Sequence, residues 1–137
     1  IALNIRKKRV WCIDGDGAAL MHMGAMTSIG ACAPSNLVHI LINNEAHESV
    51  GGQPTLASRI DFCTIAKGCN YASIESAGSI EELETILQKL DHMIGPVFIE
   101  VKTAIGSRHS LGRPTISPIE NKKEFMQRIR MTSKCGH

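Results

Sequence analysis

Short apolar runs alternate with amphipathic stretches along the chain, and this alternation predicts strands and helices in turn. Four runs rich in aliphatic residues predict strands at residues 10–14, 37–42, 71–74 and 97–101. Stretches with helical spacing predict helices at residues 20–32, 55–66, 79–93 and 120–130. The run at 37–42 is continuous and apolar apart from His39, as expected of a central parallel strand that is covered on both faces. The pattern therefore predicts an α/β fold, a three-layer α/β/α domain with a mostly parallel sheet.

The helix predicted at residues 79–93 has the clearest signature. Ser79 and Glu82 form a capping box at its start, and Gly95-Pro96 ends it. Five apolar residues are predicted to form its buried face: Ile80, Leu83, Leu87, Leu90 and Ile94. The segments at 45–55 and 106–118 are rich in glycine, proline and polar residues, and they predict a glycine-bearing loop and a turn-rich tail.

Size and composition are those of one ordinary globular domain. The chain has 137 residues, 43% of them hydrophobic and 20% charged, which is enough to bury a core. A net charge of +2 is too small to indicate nucleic-acid binding, and no apolar run approaches the ~18 residues of a membrane span. Five cysteines without a C-x-x-C pair favour a reduced, cytoplasmic setting over a disulfide framework. The chain opens at Ile1 without an initiator Met, which suggests a piece of a longer protein.

The most informative feature is a pair of polar motifs that follow the first two predicted strands. Gly15-Asp16-Gly17 follows the strand at 10–14, and Asn43-Asn44 follows the strand at 37–42. Open α/β sheets bind ligands at the carboxyl ends of their strands. Carboxylate and amide oxygens suit Mg2+, and the glycines let backbone N–H groups approach a phosphate. The two motifs, here called the clamp, therefore predict a magnesium–diphosphate site.

The clamp resembles the cofactor-binding motif of the thiamine diphosphate enzymes, in which G-D-G is followed at this distance by N-N. The resemblance implies that the side chains of Asp16 and Asn44 and the main-chain carbonyl of Ala46 bind Mg2+. It also implies that backbone N–H groups at the start of the following helix hold the diphosphate. The implied cofactor-binding residues are Gly15, Asp16, Gly17, Ala18 and Asn44.

Within that family, three longer stretches are similar to the phosphonopyruvate decarboxylases: GDGAALMHMG, NNEAHESVGGQPT and GSRHSLGRPTISPIENKKEFM. This resemblance implies that residues 1–137 are the diphosphate-binding domain of a decarboxylase. It further implies that the whole enzyme converts 3-phosphonopyruvate to phosphonoacetaldehyde and CO2, with thiamine diphosphate and Mg2+ as cofactors. The alternatives are a subunit of a sulfopyruvate decarboxylase, and a non-catalytic module that binds thiamine diphosphate or supports assembly.

The resemblance also implies a partner. In this family the glutamate that activates the cofactor lies in a separate pyrimidine-binding domain, and the active site lies between domains of different chains. We therefore expect that domain in the same or another chain, and a homo-oligomeric complete enzyme. We expect no decarboxylase activity from the 137 residues alone.

Several further residues have two interpretations each. His47 is a candidate catalytic residue because histidine suits proton transfer near neutral pH, and the alternative is a loop histidine with local hydrogen bonds. Arg108 and Arg113 are candidate phosphonate ligands because the guanidinium fork matches such oxygens, and the alternative is a solvated basic tail. Asp14 is interpreted as a strand-end residue, with a metal ligand as the alternative, and His39 is interpreted as a core histidine with satisfied partners.

Overall fold

In the computed structural model of the protein, residues 1–106 and 109–134 are described, except for the side chains of residues 132–134. The chain divides into two compact units, at residues 1–106 and 107–137. The prediction of one domain over the whole chain stays a prediction. Within the described residues, no helix is long and apolar enough to cross a membrane.

The first unit is built on a parallel sheet of four strands: β1 (Val10–Gly15), β2 (Leu37–Asn43), β5 (Ser73–Ala77) and β6 (Val97–Lys102). Their order across the sheet is β1-β2-β6-β5, and every pair is parallel. The predicted strands at 37–42 and 97–101 are confirmed to within one residue. The strand predicted at 71–74 was placed too early, because β5 begins at Ser73 and Tyr71 packs into the core from the preceding loop.

The predicted loop at 45–55 folds into a small antiparallel hairpin, β3 (Ala46–His47) and β4 (Gln53–Pro54), joined by a short 3-10 helix at Glu48–Val50. Gly51 and Gly52 complete the turn with φ of 111° and 73°. Only glycine adopts such backbone angles without strain, which explains the glycine pair seen in the sequence.

The helices of the first unit are α1 (Asp16–Met21), α2 (Gly24–Cys32), α3 (Phe62–Gly68) and α4 (Ile80–Lys89). The single helix predicted at 20–32 is wrong in two respects. The helix starts directly at the clamp, at Asp16, and it breaks at His22, whose φ of −128° and ψ of 37° are not helical. A second helix then starts at Gly24 and ends where Ala33 adopts a left-handed conformation.

Two other helix predictions need correction at their ends. The helix predicted at 55–66 is a 3-10 turn at Ala57–Arg59 followed by α3, which Asp61 caps by accepting a hydrogen bond from the Thr64 N–H at 2.9 Å. The helix predicted at 79–93 is α4 followed by a 3-10 turn at Leu90–His92.

The predicted capping box of α4 is present in modified form. The Ser79 hydroxyl accepts from the Glu82 N–H at 3.2 Å, while the Glu82 carboxylate accepts from the N–H of Gly78 rather than that of Ser79. The predicted buried face is partly wrong. Ile80 and Ile94 are each 72% exposed and Leu87 is 40% exposed, because the helix instead turns Leu83, Ile86 and Leu90 toward the sheet.

Two apolar cores lie on opposite faces of the sheet and confirm the three-layer arrangement. On the face covered by α1, α2 and α3, the largest buried side chains are Met26, Leu41, Phe62 and Phe98. On the face covered by α4, β-branched residues of β2 and β6, together with Ala77 of β5, pack against Ile86 and Leu90. The fold class predicted from the sequence is therefore correct.

The second unit contains α5 (Pro118–Lys134), which extends the helix predicted at 120–130 in both directions. Its start is a full capping box. The Glu120 N–H donates to the Ser117 hydroxyl at 3.2 Å, and the Ser117 N–H donates to the Glu120 carboxylate at 2.9 Å.

Candidate functional site

The fold brings the two halves of the clamp to the same edge of the sheet. Gly15 is the last residue of β1 and lies in register with Ile42 of the neighbouring strand β2. Asp16 begins α1 immediately afterwards, and Asn44 follows the last residue of β2. Because the strands are parallel, both motifs leave the sheet at its carboxyl end, as predicted.

Asp16 is fixed by a residue that the sequence reasoning missed. Its side chain is 1% exposed, and its Oδ2 accepts a short hydrogen bond from the Thr55 hydroxyl. The backbone N–H of Thr55 donates to the Glu45 carbonyl at 2.8 Å, within the turn that follows Asn44. Thr55 therefore links the Gly15–Gly17 half of the clamp to the Asn44 half.

Gly17 contacts the predicted catalytic residue His47. A β-carbon at position 17 would overlap the His47 imidazole, so only glycine permits this approach without a shift of the ring. The contact places His47 beside the first turn of α1, where the diphosphate is expected. A β-carbon at Gly15, in contrast, would meet no atom within 4 Å, so open space adjoins the turn.

Asn44 is held in one orientation by its own turn. Its Oδ1 accepts from the Ala46 N–H at 3.1 Å, and its Nδ2 donates to the Glu48 carboxylate at 2.8 Å. Glu45, between them, has a positive φ of 59°, which turns the chain sharply after the strand. The amide oxygen of Asn44 therefore faces the same turn as the backbone of Ala46, its fellow candidate ligand.

Asn43 has a different environment from its neighbour. It is buried, its Nδ2 donates to the Glu100 carboxylate at 2.7 Å, and its Oδ1 accepts from the Glu45 N–H at 3.1 Å. The Cys63 thiol lies 3.7 Å from the same carboxylate, and burial, then the Glu100 charge, raises the pKa of that thiol to about 11. Asn43 is therefore a packing and turn residue whose amide already has partners on both atoms.

His39 is confirmed as a core histidine. Its Nδ1 lies 2.9 Å from the Tyr71 hydroxyl and its Nε2 lies 3.1 Å from Oδ2 of Asp14. Burial lowers the pKa of His39, although the Asp14 charge opposes that shift. The sequence did not indicate that Tyr71 would be a partner of His39, because Tyr71 was interpreted only as the first residue of a strand.

The donor set of the clamp fits a hard cation and an anion. The side chains of Asp16 and Asn44 and the carbonyl of Ala46 all offer oxygen, which is the ligand type that Mg2+ prefers. The first turn of α1 has no side-chain cap, and Ala18 in that turn is exposed. Its backbone N–H groups are of the kind that bind phosphate oxygens.

The structure does not test the two candidate phosphonate ligands. Arg113 is exposed and belongs to the second unit. Arg108 lies outside the described residues. The structure thus brings together Gly17, His47, Asp16 and the turn after Asn44, and it leaves the arginine hypothesis as a prediction.

The chain matches the family model described as thiamine pyrophosphate enzyme, C-terminal TPP binding domain, over residues 1–101. Phosphonopyruvate decarboxylase of Streptomyces hygroscopicus is 39% identical over 115 residues, which cover 84% of this chain and 29% of that protein. Sulfopyruvate decarboxylase subunit beta of Methanocaldococcus jannaschii is 34% identical over 131 residues, which cover 95% of this chain and 68% of that subunit.

Among solved structures, transketolase of Campylobacter jejuni superposes with a TM-score of 0.60 at 16% identity, covering 74% of this chain and 18% of that one. At this identity the likeness shows the fold alone, and it agrees with the three-layer α/β architecture. The chain spans less than a third of the length of the phosphonopyruvate decarboxylase relative.

Proposed function

Because this chain belongs to the thiamine pyrophosphate enzymes, in the region of their C-terminal TPP-binding domain, we propose that it forms the diphosphate- and magnesium-binding half of a 2-oxo acid decarboxylase. The observation that carries the proposal is the buried Asp16 held by Thr55 beside the turn after Asn44. A carboxylate buried at a strand end next to an amide and a carbonyl oxygen offers the ligand atoms that would hold a Mg2+ ion.

Each residue of the clamp has a distinct part in this proposal. Asp16 and Asn44 hold Mg2+ through side-chain oxygens, and Ala46 holds it through its carbonyl. Gly15 leaves open space for the ligand, while Gly17 and Ala18 offer backbone N–H groups to the diphosphate. When bound, thiamine diphosphate supplies an electron sink for the carbanion that loss of CO2 generates.

His47 is proposed to serve proton transfer near the reacting centre. Its ring packs against Gly17 at the expected diphosphate position, which supports a place close to the cofactor. The activating glutamate is proposed to come from a pyrimidine-binding domain in the same or another chain, in a homo-oligomeric enzyme. The relatives named subunit beta support a partner, since their name implies a further subunit. The four described cysteines are free, which supports a reducing compartment such as the cytoplasm.

The proposed substrate is 3-phosphonopyruvate, converted to phosphonoacetaldehyde and CO2. Two phosphonopyruvate decarboxylases, at 39% and 37% identity, support this choice over sulfopyruvate decarboxylase relatives at 30–34%. Arg108 and Arg113 are proposed to bind the phosphonate group through their guanidinium forks. Replacement of Arg113 by Ala is expected to raise KM for phosphonopyruvate, and an unchanged KM would exclude that role.

The second candidate is sulfopyruvate decarboxylation, favoured by the alignment of a subunit beta over 95% of this chain. A third, from a different class, is a module that binds the cofactor without catalysis. The intact donor set of the clamp supports cofactor binding in all three cases, so the clamp alone does not choose between them.

The experiment uses the complete enzyme, meaning this chain together with the domain or subunit that supplies the glutamate. Decarboxylation of phosphonopyruvate and of sulfopyruvate is measured side by side, and thiamine diphosphate binding is measured by calorimetry with and without Mg2+. Asp16→Asn and Asn44→Ala are expected to lose Mg2+-dependent binding and turnover. Asp91→Asn, at an exposed carboxylate paired with Arg9, is the matched control.

Each outcome has one meaning. Preference for phosphonopyruvate supports the proposal, and preference for sulfopyruvate replaces it with the second candidate. Cofactor binding without turnover of either acid supports the non-catalytic module. Wild-type Mg2+-dependent binding by Asp16→Asn would refute the assignment of the clamp. The 137 residues alone are expected to show no turnover.

A further inference from the structure

Three side chains with metal-ligating atoms converge on the first two strands, apart from the clamp ligands. Cys12 and Asp14 share one face of β1 because they are two residues apart, and His39 is the register partner of Cys12 on β2. The Cys12 Sγ lies 3.8 Å and the His39 Nε2 lies 3.1 Å from Oδ2 of Asp14. The three ligand atoms all lie within 4.8 Å of one another.

The two separations from Oδ2 of Asp14 are close to those that a tetrahedral zinc ion imposes on its ligands. With a Zn–S distance of ~2.3 Å and Zn–N and Zn–O distances of roughly 2.0–2.2 Å, tetrahedral angles place sulfur about 3.6 Å and nitrogen about 3.4 Å from oxygen. The observed separations differ from these values by a few tenths of an ångström. We propose that Cys12, Asp14 and His39 bind a divalent transition-metal ion of the zinc type, with the fourth position open to water.

The surroundings of His39 suit this role. A metal on Nε2 requires the ring proton on Nδ1, and the Tyr71 oxygen, 2.9 Å away, can accept it. The Phe98 ring packs edge-on against the imidazole at a centroid distance of 5.5 Å and fixes its orientation. His39 is 3% exposed while the Asp14 side chain is 40% exposed, so the cluster opens to solvent on the Asp14 side.

The donor atoms separate this site from the clamp. The clamp offers oxygen alone, whereas a thiolate, an imidazole and a carboxylate together favour zinc-type ions over Mg2+. A bound ion would join β1 to β2 just before Gly15 and Asn43, where the two halves of the clamp begin. The proposal does not depend on the proposed decarboxylase function.

The experiment is a titration of the whole protein with Co2+, followed by displacement with Zn2+. Tetrahedral Co2+ with a thiolate ligand shows visible bands and a sulfur-to-cobalt charge-transfer band, which an all-oxygen Mg2+ site cannot produce. Cys12→Ser is expected to lose the charge-transfer band and to weaken Zn2+ binding by roughly 100-fold or more, beyond the ~10–100-fold typical of a lost outer partner. Tyr71→Phe is expected to keep the band and to weaken binding by about 10–100-fold.

Two variants control for other ligands. Cys63→Ser removes a thiol that also lies beside a carboxylate, Glu100, but that is not part of the cluster, and it should leave the band unchanged. Asp16→Asn disables the proposed Mg2+ ligand and should also leave the band unchanged. A saturable band that Zn2+ displaces and Cys12→Ser abolishes supports the site. Absence of saturable binding, or an equal band in Cys12→Ser, overturns it. Should Cys12→Ser misfold, loss of the band in folded Asp14→Asn supports the site, and an unchanged Zn2+ affinity in that variant overturns it.

Discussion

Replacement of Thr55 by valine tests whether the clamp is held together by one side chain. Valine keeps the shape of threonine but removes the hydroxyl, so the change deletes hydrogen bonds without opening a cavity. The Asp16 carboxylate loses its Thr55 donor, and the Ala57 N–H, 3.2 Å from the Thr55 oxygen, loses its acceptor. Both Thr55 and Asp16 are buried, so water cannot easily replace the lost partners.

The expected cost follows from these two bonds. A hydrogen bond to a charged group contributes about 1.5–3 kcal/mol and a neutral one about 0.5–1.5 kcal/mol. We therefore expect Thr55→Val to lower the free energy of unfolding by about 2–4 kcal/mol. With a urea slope of about 2 kcal/mol per molar, the unfolding midpoint would fall by about 1–2 M.

Equilibrium urea unfolding followed by circular dichroism measures this change. Thr55→Ser keeps an oxygen at the same position and is expected to lose less than about 1 kcal/mol, since it removes only a methyl group. A double-mutant cycle with Asp16→Asn is expected to give a coupling energy of about 1–3 kcal/mol, as for residues in direct contact. A Thr55→Val midpoint equal to that of the wild type would refute the link between the halves of the clamp.

Three further predictions concern neighbouring residues. Because burial lowers the pKa of His39 below its unfolded value of about 6.5, the unfolded state binds more protons below that pH. The free energy of unfolding should therefore fall as the pH drops below about 6.5. In His39→Gln the urea midpoint should fall less steeply over the same pH range. An identical pH dependence in the wild type and His39→Gln would contradict this prediction. Gly17→Ala should cost about 1–3 kcal/mol of unfolding free energy through overlap with the adjacent imidazole, whereas Gly15→Ala, facing open space, should stay within about 0.5 kcal/mol. Asn43→Ala should lower the free energy of unfolding by about 1.5–3 kcal/mol, because the buried Glu100 carboxylate loses a hydrogen-bond donor. Asn44→Ala should lower it by less than about 1 kcal/mol but abolish Mg2+-dependent cofactor binding. Urea unfolding and calorimetry measure both effects, and the reverse pattern would exchange the roles of the two residues.

The central strands could be predicted from the sequence because strands that are buried on both faces consist mainly of apolar residues. Strands β2 and β6 are covered on both faces, so the runs at 37–42 and 97–101 are apolar apart from one residue each, His39 and Glu100. Strand β5 lies at the edge of the sheet and has the sequence SIESA, in which polar residues interrupt the run. Its position was therefore predicted from the nearby Tyr71, which is buried but lies outside the strand.

The helix errors have tertiary causes. Local spacing could not show that α1 would start at the strand end, because that start depends on the turn into the clamp. The apolar spacing did not predict the break at His22 either. The predicted start of the helix at 55–66 was wrong because the Thr55 side chain instead hydrogen-bonds to the Asp16 carboxylate and to the Ala57 N–H. In α4, Ile80 and Leu87 fit helical periodicity, yet the sheet beneath covers only the side of Ile86 and Leu90.

Only part of the candidate site could be predicted from the sequence, because the contacts that support it are also tertiary. The motifs that contain Asp16 and Asn44 could be found because each follows directly from a strand, and the family resemblance then selected Asn44 over Asn43. The residues that hold this edge of the sheet together are distant in the chain: Thr55 is 39 residues from Asp16, and Glu100 is 57 residues from Asn43. For Glu100 a signal did exist, since a single charged residue within the apolar run at 97–101 requires a buried partner.

The adjacent asparagines show why packing and chemistry must be measured separately at this strand end. Asn43 is the last residue of β2, and its amide faces Glu100 on β6, so it joins two central strands. Asn44 lies one residue beyond the end of β2, where the backbone no longer pairs with a neighbouring strand. Its side-chain amide faces the turn. Loss of activity in an Asn43 variant would therefore arise through displacement of the turn that carries Asn44. Activity alone cannot distinguish the two residues, whereas a stability loss without a binding loss, or the converse, assigns each one its role.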